Sequence, residues 1–394
     1  EFKSKSIHQH HNVDVIIVGG GLSGLLAARK FAGTNYDVLL VEREDAFGGV
    51  LKNANKIKSI NDQPADEWLE KTERLIRNSN NIKILKNTLV TTYNFSDHLI
   101  ALEDKNVGKP QDNEKPELVL HKIRTKHTIL ANGHIERFIT FRNNDLPGVM
   151  LAASFEKYLN RYGVVPDESP VIFTNNSSTF SLLKSLTDLG HKPKAYVDIR
   201  DQKNIEKQTL ELLEKFNIPF YPKSEVEGCE GQKEVKKVSI RTKKNQITKI
   251  KTSMLCVSGG FNPDIHLFTQ SKGLLKWDKD HLTFKPDRIF QKTITLGSVS
   301  GNFSYEKLLV EVEKKLSEFE GLNELEVKFE LNGPEKFQIK ELWETKHEKK
   351  SLWSKSFIDL QNDVTTKDLR QAVNEGFNRI CLLYTSDAAD EHGC

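Results

Sequence analysis

"DVIIVGGGLSGLLAARKFAG", residues 14–33, is the stretch on which the fold turns. Val15, Ile16, Ile17 and Val18 are β-branched throughout, the composition of a strand buried on both faces of a parallel sheet. Gly19, Gly21 and Gly24 follow as G-x-G-x-x-G, and an amphipathic run then leads to Gly33. In a strand–turn–helix context the first glycine permits the tight turn, the second lets a pyrophosphate approach the backbone, and the third lets the helix pack closely on the strand. The helix offers its N-terminal N–H groups and dipole to phosphates. A second strand, "DVLLVE", ends on Glu42, 18 residues beyond Gly24. An acid there bonds the adenosine ribose hydroxyls and repels a 2′-phosphate, so the loop is expected to take FAD or NAD rather than NADP.

Outward from this loop the chain completes a nucleotide domain. "FGGVL", residues 47–51, supplies a glycine pair where backbone passes close to a ligand. "NIKILKNTLVTTYNF" and "ELVLHKIRTKHTIL" alternate as strands of a small meander and run into Ala131-Asn132-Gly133. Residues 169–200, "SPVIFTNNSSTFSLLKSLTDLGHKPKAYVDIR", repeat the strand–helix–strand rhythm, with Gly190 closing the helix. The turn of this second unit is Asn175-Asn176-Ser177-Ser178, without a glycine. Side chains there hold a pyrophosphate off the helix, so a second, NADPH-type site is expected to be vacant. The chain returns through "SMLCVSGGFNPDIHLF" and "TITLGSVSGNFSYEKLL". Gly297-Ser298 stands where flavoproteins of this architecture close the FAD site with Gly-Asp, and the missing acid argues against FAD.

The expected fold is α/β, with two Rossmann-like dinucleotide-binding domains of the two-dinucleotide-binding flavoprotein type, the second inserted in the first. Residues 1–12 read as a linker, 13–166 and 251–312 as the two parts of the first domain, and 167–250 as the insertion. Residues 313–355, rich in Lys and Glu with Trp343 and Trp353, read as a peripheral connector, and 356–380 as the start of a small helical module. Residues 381–394, opening "CLLYTSDAADE", read as a translated sequencing adapter and are set aside; both ends of the chain are expected to be cut. The net charge of +3 is spread as interleaved Lys and Glu, which gives no reason to expect nucleic acid. No apolar run approaches the roughly 18 residues of a spanning helix, so no membrane partner is expected. The four cysteines form no C-x-x-C, which excludes a disulfide reductase and points to a reducing, cytoplasmic compartment.

Five segments together carry a resemblance. "IHQHHNVDVIIVGGGLSG", "AFGGVL", "ANGHIERFITFRNNDLPGVMLAASFEKYLNRYGVVP", "FTNNSSTFSLL" and "SGGFNPDIHLF" resemble the alpha subunit of heterotetrameric sarcosine oxidase in the same order, over residues 6–380. The resemblance implies NAD at the first glycine loop, held rather than turned over. It implies FAD in a beta subunit that oxidises sarcosine, FMN at the alpha–beta interface, hydrogen peroxide as product, and gamma and delta partners. It also implies transfer of the one-carbon unit to tetrahydrofolate in a C-terminal domain, which this chain lacks. The cofactor-binding set is Gly19, Gly21, Leu22, Ser23, Gly24, Glu42, Arg43, Gly49, Val90, Ala131, Gly133 and Ser298. The alternatives are the alpha subunit of a related amine or opine dehydrogenase, a self-sufficient FAD enzyme, and a scaffold stabilised by nucleotide. Those dehydrogenase relatives open the small module with a cysteine cluster; here Asp359, Gln361 and Asn362 stand in its place, so no iron–sulfur cluster is expected.

Other residues carry weaker signals. His8, His10 and His11 read as linker histidines rather than metal ligands. His134, Glu136 and Arg137 follow the Ala-Asn-Gly turn and could face a cofactor, or Glu136 and Arg137 could simply pair. "RNNDLPGVM", residues 142–150, reads either as an exposed loop or as an interdomain or subunit contact. No spacing identifies a catalytic residue or a metal site.

Overall fold

The computed structural model describes residues 7–107, 118–165, 169–346 and 350–377. The adapter-like stretch 381–394 and the first six residues lie outside the described residues. The chain divides into two compact units. One comprises Glu1–Glu136, Glu156–Gly163 and Phe261–Ile339, the other Arg137–Phe155, Val164–Gly260 and Lys340–Cys394. The chain therefore passes between units at 136/137, 155/156, 163/164, 260/261 and 339/340, rather than at 166/167 and 250/251. The cause is the short strand Val149–Leu151, which pairs in parallel with Leu255–Ser258 and so commits the segment after Glu136 to the second unit.

In the first unit the opening strand runs from Ile7 to Val18, longer than its apolar core suggests. Ile7 to Val13 pair in continuous register with Val119 to Thr125, so residues 7–12 are ladder rather than linker. The opposite edge of the Val15–Val18 segment pairs with Val38–Val41, which pairs in turn with Ile82–Leu85, all in parallel. Strand Leu118–Leu130 has two neighbours on its far edge. His98–Asp104 pairs with its first half in antiparallel, as the meander requires, and Thr293–Thr295 pairs with its last residues in parallel. That second pairing carries the return strand to Leu130, where the Leu296 N–H donates to the Leu130 carbonyl at 2.9 Å.

The core packs helix Leu22–Phe31 against this sheet through Leu25, Leu26 and Phe31. Helix Tyr305–Leu316 joins it with Leu308, Val312 and Leu316, four residues apart on one face, each burial contributing about 1.5–3 kcal/mol. Phe319 meets Phe31 edge-on at 5.1 Å between ring centroids. Strand Phe329–Leu331 pairs with Ile57–Ile60. The stretch read as a peripheral connector is thus partly core, because its apolar positions hide among lysines and glutamates.

The second unit holds a five-stranded parallel sheet, in the order Val149–Leu151, Leu255–Ser258, Val171–Thr174, Ala195–Asp198, Phe220–Pro222. Helix Phe180–Asp188 follows the Asn-Asn-Ser-Ser turn, and Gly190 after it takes φ +79°. "RNNDLPGVM" is not an exposed loop. Asn144 is buried, donating through Nδ2 to the Phe357 carbonyl at 2.7 Å and accepting from the Phe357 N–H at 2.8 Å, which seats the small module. Among the described residues no helix is long and apolar enough to cross a membrane.

Candidate functional site: the first glycine loop

Helix Leu22–Phe31 begins at Gly21, whose φ of −74° and ψ of −176° leave the first N–H groups of the helix without a side-chain cap. No capping side chain therefore stands between this helix start and a ligand's phosphate oxygens. Each glycine around the loop answers to a different neighbour. A Cβ on Gly24 would overlap the Gly19 carbonyl oxygen, one on Gly19 the Ala131 carbonyl, and one on Gly20 the Phe47 ring. A Cβ on Gly21 would meet no protein atom within 4 Å. Gly21 is thus open on the side where the second glycine of such a loop faces pyrophosphate, and the residues fit that group. Gly133, with φ +91°, is open in the same way, while Gly49 at φ +52° lies against the Gly21 backbone.

Glu42 sits at the end of the second strand and is buried. Its Oε2 accepts from the Gly20 N–H at 2.6 Å and its Oε1 from the Glu44 N–H at 2.9 Å. Burial pushes its carboxyl above the ordinary range, opposed by these two backbone donors. A carboxylate has about four acceptor positions, so two remain for ribose hydroxyls. A cavity of about 450 Å³ opens beside it, lined by Arg43, Glu44, Asp45, Asn87, Leu89 and Tyr162 among others. Arg43 is exposed at this cavity, whereas Val90 is buried in the core. A cavity of about 570 Å³ lies at the far end of the helix near Gly33, but its amides are already engaged. Asn323 Nδ2 there donates to the carbonyls of Arg29, Lys30 and Ala32.

On the other side of Gly21 the return strand places Gly297 and Ser298. Gly297 takes φ +74°, and a Cβ there would collide with the Ser23 hydroxyl, while Leu22 beside it is buried. Ser298 Oγ is hydrogen-bonded to His134 Nδ1 at 2.9 Å. Desolvation, then the Lys56 charge, pushes His134 down to about 3, so the imidazole is neutral. Glu311 braces the turn from helix Tyr305–Leu316: its Oε2 accepts from the Gly297 N–H at 3.1 Å and from Asn302 Nδ2 at 2.9 Å. Sequence reading missed Glu311 because it lies outside any glycine motif, and missed Phe47, whose ring packs on Gly20, although "FGGVL" had marked its neighbours. Among the linker histidines, His11 proves buried, its Nε2 bonded to His121 Nδ1 at 2.9 Å and His121 Nε2 to Glu103 Oε2 at 3.0 Å. Its place in the ladder, invisible in composition, accounts for the difference.

The corresponding turn of the second unit is filled by its own side chains. Asn176 is fully buried; its Nδ2 donates to the Ser258 carbonyl at 3.1 Å and its Oδ1 accepts from the Ser178 N–H at 2.9 Å. Arg200 lies where an arginine could accept a 2′-phosphate, but its guanidinium is spent on Asp198 at 2.8 Å, Glu206 at 3.0 Å and the Asn176 carbonyl at 3.1 Å. A strap crosses the carboxyl ends of these strands. The Lys340 N–H donates to the Asn175 carbonyl at 2.8 Å and its Nζ to the Ile199 carbonyl at 3.1 Å. Further along, the Thr140 N–H donates to the Trp343 carbonyl at 2.9 Å, and Arg137 lies 5.0 Å over the Trp343 ring. Arg137 also donates from Nε to the Gly259 carbonyl at 3.0 Å, so it serves this unit rather than a cofactor. Asp359 closes its own turn, accepting from the N–H groups of Gln361 and Asn362.

Comparison with known proteins fits this geometry. Residues 17–66 match the family described as NAD(P)-binding Rossmann-like domain, and residues 353–386 match the sarcosine oxidase A3 domain. The chain is 26% identical over 405 aligned positions to sarcosine oxidase subunit alpha of Corynebacterium sp. (strain P-1), covering 98% of this chain and 41% of that protein. It is 30% identical over 305 positions to the subunit of the same name from Corynebacterium sp. (strain U-96), covering 75% of this chain and 31% of that one. In fold it is similar to L-proline dehydrogenase from P. horikoshii, with a TM-score of 0.62 at 19% identity, over 95% of this chain and 69% of the other. By sequence, then, the chain is similar to the alpha subunits of sarcosine oxidase and spans no more than about two fifths of their length.

Proposed function

We propose that this chain is the nucleotide-holding part of a sarcosine oxidase alpha subunit and that the nucleotide is NAD. The observation that carries the reading is the first glycine loop: an uncapped helix start, a glycine open to a ligand, and a buried acid at the end of the next strand. Gly19, Gly21 and Gly24 shape the cradle, with Leu22 and Ser23 opening the helix beside it. Glu42 takes the ribose hydroxyls, with Arg43 at the mouth of the adenine-side cavity and Val90 buried in the core. Gly49, Ala131, Gly133 and Ser298 line the other half. NAD, when bound, supplies a nicotinamide capable of accepting or donating hydride.

Ser298 favours NAD over FAD. It offers a hydroxyl already hydrogen-bonded to a neutral His134, where a flavin's ribityl chain meets a carboxylate in flavoproteins of this architecture. In this reading sarcosine is oxidised in a companion beta subunit carrying FAD, FMN lies at the interface with that subunit, and gamma and delta subunits complete the assembly. The one-carbon unit goes to tetrahydrofolate on a part of the alpha subunit beyond this chain. The protein is expected to work in the cytoplasm.

The experiment is to purify the chain, denature it, and identify what is released by absorbance and mass. Released NAD without flavin supports the reading, whereas stoichiometric FAD overturns it. Co-expression with beta, gamma and delta subunits then tests the complex, with peroxide formation from sarcosine as the expected result.

A further inference from the structure

We propose that the wall around Lys56, in the glycine-loop unit, is a binding site for the carboxylate of a small amino acid. It rests on the reading above only in placing this ligand beside the dinucleotide.

Strands His134–Glu136 and Phe261–Pro263 form an antiparallel ribbon in which Glu136 pairs with Phe261 and His134 with Pro263. Side chains two residues apart share a face, and so do cross-strand partners, so His134, Glu136 and Phe261 face one way. The His134 and Phe261 rings are 4.3 Å apart, and Lys56 Nζ sits 5.1 Å over the Phe261 ring. Phe303 and Phe337 extend the wall, at 6.1 Å and 5.9 Å from Phe261.

Lys56 is the anomaly. It is hemmed in by protein yet keeps some exposure. Among the described residues its amine makes no ion pair and no hydrogen bond; the Phe261 face is its contact. Two carboxylates lie near enough to act on it, Glu156 and Glu136, but neither closes onto it. Glu156 Oε1 instead accepts from the Asn55 N–H at 3.1 Å. Burial pulls the Lys56 amine below its ordinary range, while the two carboxylates pull it back. Two further titratable neighbours are neutral, His134 through its depressed pKa and Tyr305 because burial and Glu156 push its phenol up, and His281 lies against the far part of the wall, 5.2 Å from the Phe303 ring.

A desolvated ammonium without a counter-ion is costly, and an anionic ligand removes that cost. The surroundings select the anion. A single cation flanked by two carboxylates repels a phosphate dianion and suits a carboxylate. The field of the same two carboxylates favours an ammonium carried by the same ligand, and the aromatic wall accepts a short apolar body.

The test uses the full chain, both stripped of nucleotide and saturated with NAD, with glycine, propionate and methylammonium as probes. Glycine and propionate are expected to raise the melting temperature in both preparations, glycine more, and methylammonium to leave it unchanged. Lys56→Met is expected to weaken the carboxylate ligands at least tenfold, and Lys56→Arg to retain them. Unliganded Lys56→Met is expected to melt no lower than the parent, since it removes an unpaired charge; a lower melting point would assign Lys56 to the scaffold and overturn the proposal. Absence of any response to carboxylates, an equal response in Lys56→Met, or a response lost on adding NAD would also overturn it. Failure of the dinucleotide reading is recognised separately, by the identity of the released nucleotide, and leaves the measurement on stripped protein standing.

Discussion

Replacing Gly21 by alanine separates ligand binding from folding. At φ −74° and ψ −176° an alanine fits without strain, and its methyl meets no protein atom within 4 Å. The free protein is therefore expected to hold its stability or gain about 0.4–1 kcal/mol from a less disordered unfolded chain. The same methyl occupies the space that pyrophosphate must enter. At a concentration 100 times the dissociation constant, NAD stabilises the parent by about 2.7 kcal/mol. With roughly 2 cal/mol/K of unfolding entropy per residue, that is a rise of about 3 °C if the whole chain melts together and about 6 °C if the glycine-loop unit melts alone. A hundredfold loss of affinity in Gly21→Ala leaves RT ln 2, about 0.4 kcal/mol, or less than about 1 °C. Gly24→Ala is the control: its methyl would overlap the Gly19 carbonyl oxygen, which is backbone and cannot turn away, so it is expected to lose about 1–3 kcal/mol or more without ligand. The assay is a thermal scan of all three proteins with and without NAD. If Gly21→Ala melts as low as Gly24→Ala, or keeps the parent's full rise with NAD, the assignment of the loop is refuted.

Three further outcomes follow from buried polar groups. Removing Arg200 as Arg200→Ala leaves Asp198 buried and uncompensated and is expected to cost about 3–5 kcal/mol, read from urea denaturation of the second unit. Asn176→Gly, which installs a glycine in the second turn, is expected to lose about 2–3 kcal/mol with its hydrogen bonds and to gain no NADPH affinity by calorimetry, because the Lys340 strap stays in place. His11 is pushed down to about 4 by burial and then by the Lys83 charge. The folded state therefore refuses a proton that the unfolded state takes below about 6.5, so stability present above that pH is lost as pH falls from about 6.5 to about 4, by at most about 3 kcal/mol. Substituting His11→Gln should remove that part of the slope and leave the part that His134, pushed down to about 3, contributes across the same window.

The strand, glycine turn and acid of the first loop were legible in the sequence because each of these parts has a steric cause. Few structures other than a dinucleotide cradle demand a β-branched strand, three spaced glycines and an acid 18 residues on, and the fold gathers all of them around one helix start. The second unit's strand–helix–strand was legible for the same reason, and its turn lacks glycine as read. Features that depend on distant pairing were not legible. Whether Ile7 belongs to a strand is decided by Val119, and whether residues 137–155 belong to the second unit by Leu255. Leu308, Val312 and Leu316 lie within a stretch dominated by Lys and Glu, so their shared face emerges only once helix Leu22–Phe31 is there to receive it. Lys56 was silent because nothing local distinguishes it from any other surface lysine; only the ribbon from residues 134–136 and 261–263 gives it surroundings.

The strap that begins at Lys340 has a consequence for how such a subunit could be re-engineered or could revert. By seating its own backbone where a soluble hydride carrier would arrive, the polypeptide acts as a built-in tenant of that port. Restoring glycines to the turn clears the floor but not the doorway, and cutting the strap clears the doorway but not the floor. Neither change alone opens the port, so admitting a carrier to the second unit is expected to take at least two coordinated substitutions.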